Sequence, residues 1–225
     1  MHVFFGRKVQ GDQDFSLEAG GNMTDSEISN QRLDVMIYCH DGRGLGHASR
    51  SIGIGMAIRR LFPNRRVLFV SGCRFSGELI GPAPLDWLKL PAYETEVVEG
   101  RSRGAQGKSM FSDRELGQLR AAELANLVLL YRPRLVLVDH SPQGKHRELV
   151  PALEASGNDT RWVLGVRGVV GDVQQTGTEL ARQLFEQHYT ALLWYGDSLV
   201  LGEEGKNRLE DFYKKEPLEC GYVQR

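Results

Sequence analysis

The stretch Leu33–Arg60, LDVMIYCHDGRGLGHASRSIGIGMAIRR, constrains this chain more than any other. Its apolar run Val35-Met36-Ile37-Tyr38-Cys39 is long enough for a buried strand. A turn follows, Asp41-Gly42-Arg43-Gly44-Leu45-Gly46. Then comes a helical pattern with Ile52, Met56 and Ile58 or Arg59 on adjacent turns. A strand, a glycine-rich turn and a helix form the opening unit of an open α/β sheet. In such sheets ligands bind beyond the carboxyl ends of the strands, where this turn falls. The helix N-terminus adds unpaired N–H groups and a partial positive charge, which favour an anionic or polar ligand.

His47 stands in the first turn of that helix, directly after the last glycine. A neutral imidazole there is able to take a proton from a hydroxyl, because its free pKa is about 6.5 and the positive helix end favours the neutral form. The plainer use of this residue is as a polar cap-region side chain. Better-known glycine motifs fit poorly. A dinucleotide fingerprint, G-x-G-x-x-G, matches at Gly42 and Gly44 but meets His47 at its third glycine, and no acid ends the second strand at Ser71-Gly72. Gly107-Lys108-Ser109 has the ending of a P-loop, but Ser102 stands where the first glycine belongs and no strand precedes it.

A chain of 225 residues suffices for one large domain or two small ones. With 41% apolar and 25% charged residues it has the composition of an ordinary globular protein. A net charge of −1 gives no electrostatic footprint for nucleic acid. Cys39, Cys73 and Cys220 are odd in number, far apart and without zinc spacing, which points to reduced thiols and a cytoplasmic location. No apolar stretch is long enough for a transmembrane segment, and Val3-Phe4-Phe5 is no signal-peptide core.

Residues 1–31 are polar and aperiodic and read as a flexible leader. Further strands are expected at Arg66–Ser71, Leu85–Leu90, Leu135–Asp139, Arg161–Val166 and Ala191–Tyr195. Helices are expected at about Phe75–Ile80, from the capping box Ser112-x-x-Glu115 to Tyr131, and over Lys145–Ala155 and Thr178–His188. A last short helix ends near Leu209–Lys214. The 112–131 helix carries Leu116, Leu119, Leu124, Leu127 and Val128 as its apolar stripe. Residues 92–110 read as a long irregular flap holding Arg101, Arg103 and Lys108, and Glu216–Arg225 as an exit from the domain. The β-α alternation predicts an α/β, Rossmann-like open parallel sheet with helices on both faces, in one domain.

Several short motifs recur in a familiar order: Gly44-Leu45-Gly46-His47-x-x-Arg50, Val70-Ser71-Gly72, Pro133-Arg134-Leu135-Val136-Leu137-Val138-Asp139, Val166-Arg167-Gly168-Val169, Tyr195-Gly196-Asp197 and Gly221-Tyr222-Val223. Over residues 33–223 the chain resembles the N-terminal half of GT-B glycosyltransferases, closest to bacterial predicted glycosyltransferases related to MurG and to UDP-glycosyltransferases. The resemblance implies one acceptor-side domain over residues 32–216. Residues 217–225 would begin a linker, and the C-terminal donor domain would be absent from this chain. It implies His47 as general base on an acceptor hydroxyl, oriented by Asp139 or by Asp41. Gly44 and Gly46 would let the backbone approach a sugar or diphosphate, Arg50 would contact phosphate, and Arg167 and Gly168 would line the same rim. The residues have plainer uses too: a helix cap or loop-ordering role for Asp139, a tight turn for the glycines and a solvated side chain for Arg50.

The activity so implied is transfer of a sugar from a nucleotide-sugar co-substrate, with no further cofactor and no obligatory metal. The expected acceptor is a small molecule or a lipid, and a separate donor-domain chain is an expected partner. Two other readings stand beside it: a non-catalytic Rossmann-like binding module or subunit of a split transferase, and an unrelated nucleotide-binding α/β protein.

Overall fold

The computed structural model describes residues 32–40, 45–93, 95–98, 101–104, 110–169 and 177–223, with backbone alone for 95–98 and 101–104. The leader expected over residues 1–31 lies outside the described residues.

The first strand, β1 (Val35–Cys39), is followed by α1 (Gly46–Leu61) and β2 (Val67–Ser71). A short helix, α2 (Ser76–Ile80), leads to β3 (Asp86–Lys89). After a hairpin, β4 (Thr95–Val98) and β5 (Arg101–Gly104), come α3 (Asp113–Tyr131) and β6 (Leu135–Asp139). A 3-10 turn (Lys145–Arg147), α4 (Val150–Ala155) and β7 (Arg161–Arg167) follow. The chain then runs through α5 (Glu179–His188), β8 (Tyr189–Tyr195), α6 (Ser198–Leu201), α7 (Glu204–Tyr213) and β9 (Leu218–Glu219).

Seven strands form one parallel sheet in the order β3-β2-β1-β6-β7-β8-β9. Alternation along each strand supplies two cores, one per face, as a sheet buried on both sides requires. Ile37, Cys39, Phe69 and Leu137 pack under α1 through Ala48 and Ile52. Met36, Tyr38, Val136, Val138, Leu164 and Trp194 pack under α3, α4, α5 and α7. The expected α/β architecture with helices on both faces is therefore present.

Four local expectations give way to tertiary structure. Residues 92–110 are not wholly irregular: Thr95–Val98 and Arg101–Gly104 pair as antiparallel strands. Backbone pairing needs no apolar run, so a strand reading based on apolar runs passes over it. The helix expected from Lys145 is broken. His146 sits at φ 52 within the 3-10 turn, and α4 starts afresh with Pro151 in its first turn, the one place where a missing N–H does no harm. The sheet continues past 216, since Leu218 and Glu219 extend it along Leu193 and Trp194 of β8. Leu119 is 41% exposed, because the buried stripe of α3 passes instead through Arg120.

Arg120 is a charged side chain with no solvent exposure, and it faces the equally buried Glu148. Its Nε donates to Glu148 Oε2 at 2.6 Å, its Nη2 to Oε1 at 2.8 Å and its Nη1 to the Pro91 carbonyl at 2.7 Å. The hydroxyls of Tyr38 and Tyr93 donate to the two oxygens of the same carboxylate. The network is tolerable only because every member is satisfied; an uncompensated buried charge is costly. Glu148→Gln, which leaves the Arg120 charge without its counter-ion, is expected to destabilise the fold by about 3–5 kcal/mol. Urea denaturation followed by circular dichroism measures this, and a loss within error of zero would show the ion pair to be dispensable.

Candidate active site

β1 and β6 are neighbours in the middle of the sheet, yet the chain leaves them in opposite directions, toward β2 and β3 from one and toward β7–β9 from the other. Beyond their carboxyl ends lies the topological switch point at which open α/β sheets bind ligands. The β1–β6 register pairs Cys39 with Asp139, so Asp139 ends its strand at that switch point. α1 begins above it.

His47 and Arg50 lie three residues apart and share the face of α1 that looks onto Asp139. His47 Nδ1 hydrogen-bonds Asp139 Oδ2. Arg50 donates to Oδ1 through Nε at 3.0 Å and through Nη2 at 2.6 Å. Arg50 Nη2 also lies 3.1 Å from His47 Nδ1. With Nδ1 carrying the proton that Asp139 accepts, this is a contact between two donors converging on one carboxylate rather than a third hydrogen bond. The Asp139 side chain is only 3% exposed. Burial by itself would raise its pKa. The hydrogen bond from His47 and the adjacent Arg50 charge outweigh burial and hold the carboxyl below its usual range, hence ionised.

Two more imidazoles crowd the same spot. His40 follows β1 as His140 follows β6, and the register brings these two positions side by side. The ring centroids of His40 and His47 are 4.4 Å apart, those of His47 and His140 5.2 Å, and those of His40 and His140 5.7 Å. His140 is held at φ 76 by its N–H bond to the Gly165 carbonyl, 2.8 Å. Its Nδ1 is buried with no hydrogen-bond partner among the described residues. Burial, helped by the neighbouring His40 and His47 and by the Arg167 charge, pushes its pKa down to about 3, so the ring stays neutral.

The scaffold behind Arg50 is aromatic. The guanidinium lies 5.3 Å from the ring centroid of Tyr195. That ring lies across Gly165, where an added Cβ would come within 2.1 Å of the Tyr195 hydroxyl and 2.5 Å of Cζ.

The expected site residues divide accordingly. His47, Asp139 and Arg50 come together, with Arg50 turned to Asp139 rather than held for a phosphate. Arg167 ends β7 on the same rim, near enough to His140 to bias its charge. Gly168 has a packing reason of its own: a Cβ there would meet the Tyr195 carbonyl oxygen at 2.7 Å and Gly196 Cα at 2.9 Å. Gly46 opens α1 with nothing described within 4 Å of an added Cβ. Among the described residues no side chain caps the helix start, and its first turn holds no acid. Gly44 and the alternative orienting acid Asp41 lie outside the described residues. His40 and His140 are functional candidates that reading the chain along its length does not single out, and Tyr195 enters that reading only within the Tyr195-Gly196-Asp197 motif. The available signal was that a histidine follows each of two strands, which becomes informative only once those strands are known to be neighbours.

No family model matches the chain, and no curated protein matches it. Solved structures do. A glycosyltransferase from Rickettsia africae superposes with a TM-score of 0.54 at 8% identity, over 84% of this chain and 43% of that one. A UDP-N-acetylglucosamine 2-epimerase superposes with a TM-score of 0.50 at 13% identity, over 80% of this chain and 45% of that one. The likeness is one of fold. The architecture is the Rossmann-like unit of GT-B proteins, and the chain spans less than half the length of either structure. No helix among the described residues is long and apolar enough to cross a membrane.

Two outcomes follow from this geometry. His140 binds a proton in the unfolded chain near pH 6.5 but in the fold only near pH 3, so the unfolded state holds more protons between those values. Stability is therefore lost as pH falls through that window, by at most about 1.4 kcal/mol per pH unit from this residue. His140→Asn, which tolerates the left-handed backbone, should flatten the decline in urea midpoint between pH 6.5 and the carboxylate range. An unaltered slope would assign the acid sensitivity to other groups. Gly165→Ala should displace Tyr195 from beneath Arg50 and lower stability by about 1–3 kcal/mol in a thermal melt.

Proposed function

We propose that the chain is the acceptor-side half of a glycosyltransferase, with His47 as the general base. The observation that carries this reading is the hydrogen bond from His47 to the buried, ionised Asp139 at the switch point. It assigns the His47 proton to Nδ1 and leaves Nε2 as the basic nitrogen. An acceptor hydroxyl would give its proton to Nε2 while its oxygen forms a bond to the anomeric carbon of the donor sugar. The bond from that carbon to the nucleotide's phosphate oxygen would break, and the nucleoside diphosphate would depart with the electron pair. Asp139 stabilises the imidazolium so formed, and Arg50 keeps Asp139 from taking up the proton itself.

The fold likeness to a glycosyltransferase supports this class of reaction. The uncapped start of α1 and the Arg167 side chain on the same rim suit a negatively charged donor or acceptor. The donor-binding half would be a second domain, in the same polypeptide or a partner chain. Three unbridged cysteines suit a cytoplasmic setting.

The test is release of nucleoside diphosphate from a panel of nucleotide-sugars by an enzyme containing both halves. His47→Ala should lower turnover about 10²–10⁴-fold while leaving the thermal melt unchanged. Asp139→Asn, which misorients the imidazole, should also lose turnover. Undiminished turnover in His47→Ala would remove this residue from the mechanism.

A further inference from the structure

A general base and its orienting acid need one imidazole, whereas three are gathered here around a single buried carboxylate. One donor atom from each of His40, His47 and Asp139 lies within 4.8 Å of the others. Imidazoles sharing a tetrahedral ion at about 2.0–2.1 Å from each nitrogen have their centroids about 5 Å apart. The two rings proposed as ligands, His40 and His47, stand at 4.4 Å. His140, packed against both other rings, has a buried Nδ1 with no partner among the described residues.

We propose that this cluster binds a borderline divalent transition-metal ion, Zn²⁺ or Co²⁺, through His40, His47 and Asp139, with a further position left open. The surrounding charge decides which ions qualify. Arg50 directs its Nε and Nη2 to Asp139 Oδ1, so Oδ2, which otherwise accepts the His47 hydrogen bond, is the oxygen offered to an ion that displaces the shared proton. The same guanidinium cancels the one anionic ligand, and Arg167 adds a second positive charge near His140. A hard ion that depends on carboxylate charge, such as Mg²⁺ or Ca²⁺, gains little there. An ion that bonds imidazole nitrogen gains more. An ion held by His47 and Asp139 takes the place of the general-base role of His47, so the two states exclude one another, and binding is observed directly without reference to transfer.

The experiment titrates the metal-stripped chain with Co²⁺, followed by its visible ligand-field absorption, and with Zn²⁺ in competition with a chromophoric chelator. One ion per chain is expected, without the near-ultraviolet charge-transfer band of a thiolate ligand such as Cys220. His40→Ala and His47→Ala should each weaken binding by roughly 10–100-fold or more. His146→Ala, whose imidazole lies 3.6 Å from Asp113, should leave it unchanged, and Mg²⁺ should not compete. His40→Asn provides a second variant of the same ligand should the alanine form not fold by circular dichroism. The proposal is overturned by absence of stoichiometric binding, by a thiolate band, by effective competition from Mg²⁺, or by affinity retained in both the His40 and His47 variants.

Discussion

Asp139 is nearly removed from water yet ionised, and the carboxyl rim is arranged around that fact. A buried carboxylate persists only where hydrogen bonds and opposite charge exceed the cost of desolvation. His47 and Arg50 supply them, one on each oxygen. Both belong to the first turns of α1, so satisfying Asp139 also sets where that helix begins above the sheet. The same interaction gives His47 its tautomer. Structure and candidate chemistry thus rest on one carboxylate.

The loop after Asp139 is clamped from two sides. At its start, the left-handed backbone of His140 is held by Gly165 of the neighbouring strand. At its end, Glu148 is bound by Arg120 from α3 and by Tyr38 from β1. Residues 140–144 are buried, an uncommon state for a connecting loop. Tyr189 further donates to the carbonyl of Pro142 at 2.8 Å. A rim held this firmly presents its imidazoles with little freedom to reorient.

Much of the fold was legible along the chain. Val35–Cys39, Leu135–Asp139 and the capping box at Ser112 each specify a local conformation through short-range chemistry, and each is found where expected. The pairing of Thr95–Val98 with Arg101–Gly104 was not legible, because Val97 and Val98 are its sole apolar residues and too short a run to signal a strand. Arg120 was not legible either. A charged residue in a helix reads as solvated until its partner, 28 positions later in sequence, is known to lie opposite.

The sequence by itself determined most of the element types, the parallel α/β class and the presence of His47 at a helix start beside a strand end, since these depend on period, turn chemistry and neighbours in the chain. Only the tertiary structure decided that β1 and β6 are adjacent. That adjacency spans about a hundred residues and is set by the packing of two cores. It is what gathers His40, His47, Arg50, Asp139 and His140 at one switch point, while the β7–β8 pairing lays Tyr195 across Gly165 and turns that glycine from an ordinary strand residue into one that must lack a side chain.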